Sequence, residues 1–169
     1  ETIDASQLIV TPGFIDPHIH GCGGADVMEG TWESLNAVSR IVARHGTTAF
    51  LPTTVSSPVK ILNQVVEKLG SLMTRTFEGA RPLGIHLEGP FISAAKRGTH
   101  KAANVAPPDA ALLENWIRSS GQSIRLLTVA PELDGIDPVL TLAMASGITV
   151  GMGHSNASLE EARAAAGRG

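Results

Sequence analysis

Strand-like and helix-like stretches alternate along this chain with little between them, and that alternation limits its possible folds more than any other feature. Residues 7–16, 47–54, 82–88, 124–130 and 147–153 are apolar and rich in β-branched residues. Residues 31–45 carry helical spacing (Trp32, Leu35, Val38, Ile41, Val42) behind a threonine N-cap. Further helices are expected over 57–74, 108–119, 137–145 and 156–166, the first opening at Ser57-Pro58 and the last capped near Ser155-Asn156. Five β/α units of about 30 residues each call for a parallel sheet with helical crossovers.

Two architectures satisfy that pattern: an open doubly wound sheet and part of a (β/α)8 barrel of the TIM type. A nucleotide-binding doubly wound sheet favours G-x-G-x-x-G after its first strand. The bend here reads His-Gly-Cys-Gly-Gly over 20–24, and no Walker-type lysine follows a glycine loop. The residues with chemistry in them collect instead at the carboxyl ends of strands one, three and five, where barrel active sites lie. A full barrel takes about 250 residues, so five units amount to five-eighths of one.

Composition excludes several functions. The 169 residues are 43% hydrophobic and 17% charged, the profile of a packed domain with one core. A net charge of −3 gives no electrostatic footprint for nucleic acid or an anionic membrane surface. No apolar run approaches the roughly 18 residues of a membrane span. The single cysteine, Cys22, has no partner for an internal disulfide and suits a reducing cytoplasm.

The first strand runs into FIDPHIHGCGG, residues 14–24. Strand periodicity is two, so Asp16, His18 and His20 share one side, and two imidazoles one pleat apart can share a cation. A pair of solvated histidines closing a strand is the bland alternative. The third strand ends in GIHLEGPF, where Glu88 stands at the tip and offers an oxygen ligand, or else caps a helix or faces solvent. His86, deeper on the same face, reads as a satisfied core histidine. The fifth strand ends in GITVGMGHSNAS, and His154 is either a third imidazole ligand or a histidine in a helix-capping region. His18, His20, Glu88 and His154 fall at the C-terminal ends of alternate strands, which favours a metal site over independent accidents. The connection 89–107 is long, and long loops in compact domains usually serve function. It holds His100, placed to polarise a carbonyl or to sit in solvent, beside Lys96, Arg97 and Lys101. Glu132, in TVAPEL after the fourth strand, is a weaker candidate for the rim.

PGFIDPHIHG resembles the opening motif of the amidohydrolase superfamily, metal-dependent (β/α)8 hydrolases. GIHLEGPF, the KRGTH loop, TVAPEL and GHSNAS together resemble its family of N-acetylglucosamine-6-phosphate deacetylases, from about Thr11 onward. The resemblance implies hydrolysis of the N-acetyl group of a phosphorylated amino sugar, with Glu88, His154, His18 and His20 as metal ligands and His100 against the substrate. It implies one or two divalent metals, zinc first, with iron, manganese or cobalt as alternatives. It also implies that residues 1–10 are the remnant of a strand from a small β-sandwich domain and that 11–169 are barrel. The family's next metal histidine and its catalytic aspartate follow the sixth and eighth strands and have no match here. The chain alone is therefore expected to be inactive, and to associate with itself or with the remaining half of a barrel. The rival readings are another amidohydrolase acting on a cyclic amide, and an inactive metal-binding half-barrel.

Overall fold

The five-unit alternation is realised in the computed structural model, which describes residues 2 and 4–168. In chain order it comprises β1 (Phe14–Ile19), α1 (Trp32–Arg44), β2 (Thr47–Pro52), α2 (Val59–Leu72), β3 (Ile85–Glu88), α3 (Ala110–Ser119), β4 (Ile124–Val129), α4 (Asp137–Ala145), β5 (Thr149–Met152) and α5 (Leu159–Ala166). A two-residue antiparallel hairpin, Gly21–Cys22 against Ala25–Asp26, follows β1. The strands pair in parallel: β1 with β2, β2 with the short strand Arg81–Pro82, β3 with β4, and β4 with β5. These form two three-stranded sheets joined by a parallel bridge between Thr53 and His86. The fold is thus α/β with parallel sheets whose strands lie in chain order, and their carboxyl ends share one edge. Among the described residues no helix is long and apolar enough to cross a membrane.

Several expected boundaries move. β3 begins at Ile85, with Arg81–Pro82 paired to β2 instead, and α2 begins at Val59 behind Pro58. Two further shifts have a clear physical reason. β1 begins at Phe14 rather than at residue 7, because its ladder starts where Phe14 meets Thr47. Among the described residues upstream there is no partner strand, and Leu8, Ile9 and Val10 are exposed despite their β propensity. Of the proposed 1–10 strand remnant, Glu1 and Ile3 lie outside the described residues. The last helix is capped by Ser158, not Ser155-Asn156. Ser158 accepts from the Glu161 amide while the Glu161 carboxylate accepts from the Ser158 amide, a reciprocal capping box. The cap of α1 falls where the sequence puts it, on Thr31, and Asp109 caps α3.

Apolar helix faces build the core against the strands. Leu35, Val38 and Val42 of α1, Leu62, Val66 and Leu69 of α2, and Leu113 and Trp116 of α3 are buried with Phe50, Ile85 and Leu127. α5 buries no residue. The opposite face of the strands is less covered: Ile15 is 63% exposed. It borders an apolar groove with Leu51, Leu83 and Leu126. β3 is buried at every position, so the residues at its tip are held rigidly.

Candidate metal centre

Glu88 ends β3 only 6% exposed, and four histidines converge on its carboxylate. The Nε2 atoms of His20 and His100 lie 3.1 and 3.2 Å from Oε2. Those of His154 and His18 lie 3.0 and 3.7 Å from Oε1. His18 and His20 come from the end of β1, His154 from just beyond β5, and His100 from the long loop after β3. The four expected ligands and His100 therefore meet at one carboxylate. Parallel strands make this possible by bringing their carboxyl ends to one edge.

The outer nitrogens sort the histidines by role. His20 Nδ1 is 3.1 Å from the Thr53 carbonyl and His154 Nδ1 is 3.0 Å from the Lys96 carbonyl. A carbonyl can only accept, so in both rings Nδ1 carries the proton and Nε2 turns its lone pair to the centre. This is the arrangement that fixes ligand histidines at metal sites. His100 is set the other way. Its Nδ1 accepts from the Ser56 amide at 3.1 Å, which leaves the proton on Nε2 and makes it a donor to Glu88. Gly98, at φ +58, lets the loop lie flat on His154, where a Cβ would come within 3.2 Å of the imidazole.

Two lone pairs facing a carboxylate need positive charge between them. The side chains fit a divalent cation: His18, His20 and Glu88 place one donor atom each within 4.8 Å of the others. Glu88 forms a second such group with His154 and with His100, whose Nε2–H bonds the carboxylate rather than offering a lone pair. Glu88 belongs to both groups, which suits one metal or a bridged pair, and imidazole with carboxylate suits Zn, Fe, Mn or Co. Without a cation, a proton takes that place. The hydrogen bond with Glu88 raises the His20 pKa against the opposing effect of burial. Burial pushes Glu88 upward, but the His20 hydrogen bond and the nearby imidazoles outweigh it and hold the carboxyl at about 2. Burial, first among its causes, lowers the pKa of His100.

Other candidates stand apart. Asp16 turns its carboxylate to the His18 amide. His86 is 2% exposed and bonds through Nδ1 to the Pro17 carbonyl and through Nε2 to the Thr128 hydroxyl, the satisfied core histidine expected. Lys96 contributes its carbonyl rather than its ammonium, and Cys22 is a free thiol. Glu132 proves more engaged than TVAPEL suggests: it accepts from the Ser155 hydroxyl at 2.7 Å and the Asn156 amide at 2.6 Å.

A parallel α/β fold with imidazoles and a carboxylate gathered at the strand ends is the form of a metal-dependent hydrolase. Residues 9–169 match the amidohydrolase family, and the chain belongs to it. It is 35% identical over its full length to the N-acetylglucosamine-6-phosphate deacetylase of Vibrio furnissii, and 37% identical over 96% of its length to that of Homo sapiens. It spans 42% and 41% of those two proteins. Among solved structures, N-acetyl-D-glucosamine-6-phosphate deacetylase from Mycobacterium smegmatis superposes with a TM-score of 0.86 at 28% identity, covering 94% of this chain and 41% of that one. The Thermotoga maritima enzyme superposes at 0.79 with 32% identity, again over 94% of this chain and 41% of the other.

Proposed function

We propose that this chain supplies the metal-binding segment of an N-acetylglucosamine-6-phosphate deacetylase, built on five β/α units of a (β/α)8 barrel. The observation that carries this reading is the tautomer pattern: His20 and His154 aim lone pairs at Glu88, while His100 aims an N–H. Glu88, His18, His20 and His154 would hold the metal, zinc by preference, with residues 11–169 as barrel and 1–10 as a remnant strand from a neighbouring domain. When bound, such a cation supplies Lewis acidity and brings the pKa of water towards ~7. The Nε2–H of His100 then donates to the acetamide carbonyl oxygen as negative charge develops there, and the buried Ser56 amide keeps that proton in place. Among the described residues, the hydrogen bonds and ion pairs at Glu88 all come from histidines. The proton for the departing amine would come from an aspartate beyond these five units, as the resemblance to the deacetylases implies.

The apolar groove along Ile15, Leu51, Leu83 and Leu126, open to solvent at Ile15, supports pairing with further barrel strands or with a second copy. The free Cys22 supports a reducing, cytoplasmic setting.

A chimera tests the proposal. Residues 14–168 would replace the matching segment of the Vibrio furnissii relative, and acetate release from N-acetylglucosamine 6-phosphate would be measured with and without Glu88→Ala. Turnover that depends on Glu88 is expected. A folded, metal-loaded chimera with no turnover would refute the assignment.

A further inference from the structure

We infer that Glu132 is a positioning residue for His154: its carboxylate clamps the two residues after the histidine and so holds the histidine in the conformation that reaches Glu88. This rests on the reading of the centre as a metal site. His154 has φ +50, in the left-handed region that a side chain with a Cβ seldom occupies. A residue held there needs its neighbours fixed on both sides, and the structure provides this.

On the near side, the His154 carbonyl accepts from the Ser93 amide at 2.9 Å, and its Nδ1–H donates to the Lys96 carbonyl at 3.0 Å. On the far side, the two oxygens of Glu132 divide their work. Oε2 accepts from the Ser155 hydroxyl and Oε1 from the Asn156 amide. Ser155 Oγ in turn accepts from the Ala157 amide at 2.9 Å, which extends the hold to the next residue. Both hydrogen bonds to the carboxylate are short, as charge-assisted bonds are. Glu132 follows β4 and its partners follow β5, so the clamp ties the ends of two adjacent strands and sets the direction in which His154 leaves the sheet. Without it, the segment 154–157 is free to relax towards ordinary backbone angles, and the imidazole would rotate away from the Lys96 carbonyl. Nε2 would then no longer be the fixed lone pair facing Glu88.

The test uses the 169-residue chain with Glu132→Ala, Glu132→Gln and Ser155→Ala. The zinc dissociation constant is measured by competition with a chromophoric chelator. The His154 tautomer is read by long-range 15N–1H correlation in the metal-free protein at alkaline pH, where no proton stands in for the cation. Partners that orient a ligand histidine are typically worth 10–100-fold in metal affinity, so Glu132→Ala is expected to bind zinc at least about tenfold more weakly. Its His154 should show mixed tautomers in place of the Nδ1–H form. Glu132→Gln, which keeps an acceptor for Asn156, should stay close to wild type, with Ser155→Ala between the two. Unchanged affinity and tautomer in Glu132→Ala would overturn the inference. If that variant does not fold, unchanged values in Ser155→Ala overturn it instead. Failure of the wild type to bind zinc would refute the metal reading, while the tautomer comparison would still decide the clamp.

Discussion

Replacing His86 with alanine removes a side chain that bonds to three segments beneath the metal centre. Its Nδ1 faces the Pro17 carbonyl of β1 at 3.1 Å and the Thr53 hydroxyl at 3.3 Å, and its Nε2 faces the Thr128 hydroxyl of β4 at 2.8 Å. Thr53 keeps other partners, since its hydroxyl also donates to Leu51 and accepts from the Ile19 amide. The Pro17 carbonyl and the Thr128 hydroxyl lose theirs. Leaving two part-buried polar groups unpaired costs about 1 kcal/mol each, the low end of the range for a lost partner. Removing a ring from a site 2% exposed adds a cavity cost. The sum is roughly 3–5 kcal/mol, a large part of the stability of an ordinary domain. His86→Asn keeps a donor near the position of Nδ1 and is expected to lose about half as much, because only the Thr128 contact goes. Urea unfolding of the metal-free proteins at neutral pH, followed by circular dichroism, measures both. A loss below about 1 kcal/mol for alanine, or equal losses for the two variants, would refute the reading of His86 as a strand-joining hub.

The same histidine makes a pH prediction. Burial first, then the field of His18, lowers its pKa from 6.5 to about 4 in the folded chain. The unfolded chain binds the extra proton at higher pH, so this contribution is complete above pH 6.5 and is lost as pH falls towards 4. Its full size is roughly 3 kcal/mol. The difference in unfolding free energy between wild type and His86→Asn should shrink across that window, and a constant difference would count against it. Gly70→Ala probes the packing of α2 on α3. Alanine favours a helix interior by about 1 kcal/mol, yet its Cβ would lie 2.4 Å from the Ser120 carbonyl oxygen and 2.5 Å from Ser120 Cα. Backbone cannot yield as a flexible side chain does, so the variant should be less stable by about 1–3 kcal/mol in thermal unfolding; a stabilised variant would show that the two helices separate freely.

The residues of the centre are legible in the sequence because two local rules suffice to place them. The β/α alternation makes the strands parallel, and parallel strands deliver His18, His20, Glu88 and His154 to one edge. His100 is legible only as a loop residue, since nothing local shows that the Ser56 amide, 44 positions away, fixes its tautomer. The same holds for the Thr53 and Lys96 carbonyls, because backbone groups carry no signature in residue type. Glu132 can be noticed as a carboxylate after a strand, but its partners depend on β4 and β5 being neighbours. The start of β1 fails differently: 7–13 has the composition of a strand, and only a partner strand makes one. The cap of α5 was readable, since Ser158 with Glu161 is a capping box and Ser155 has no such partner three residues on.

The central claim is that four side chains at the strand ends hold a metal through Glu88. Its most direct test is elemental analysis of the purified chain beside Glu88→Ala, both exchanged into zinc-buffered solution and freed of loosely bound metal. At least one equivalent of zinc in the wild type, reduced to background in the variant, is the predicted result. A wild type without metal, or a variant that keeps it, would contradict the account.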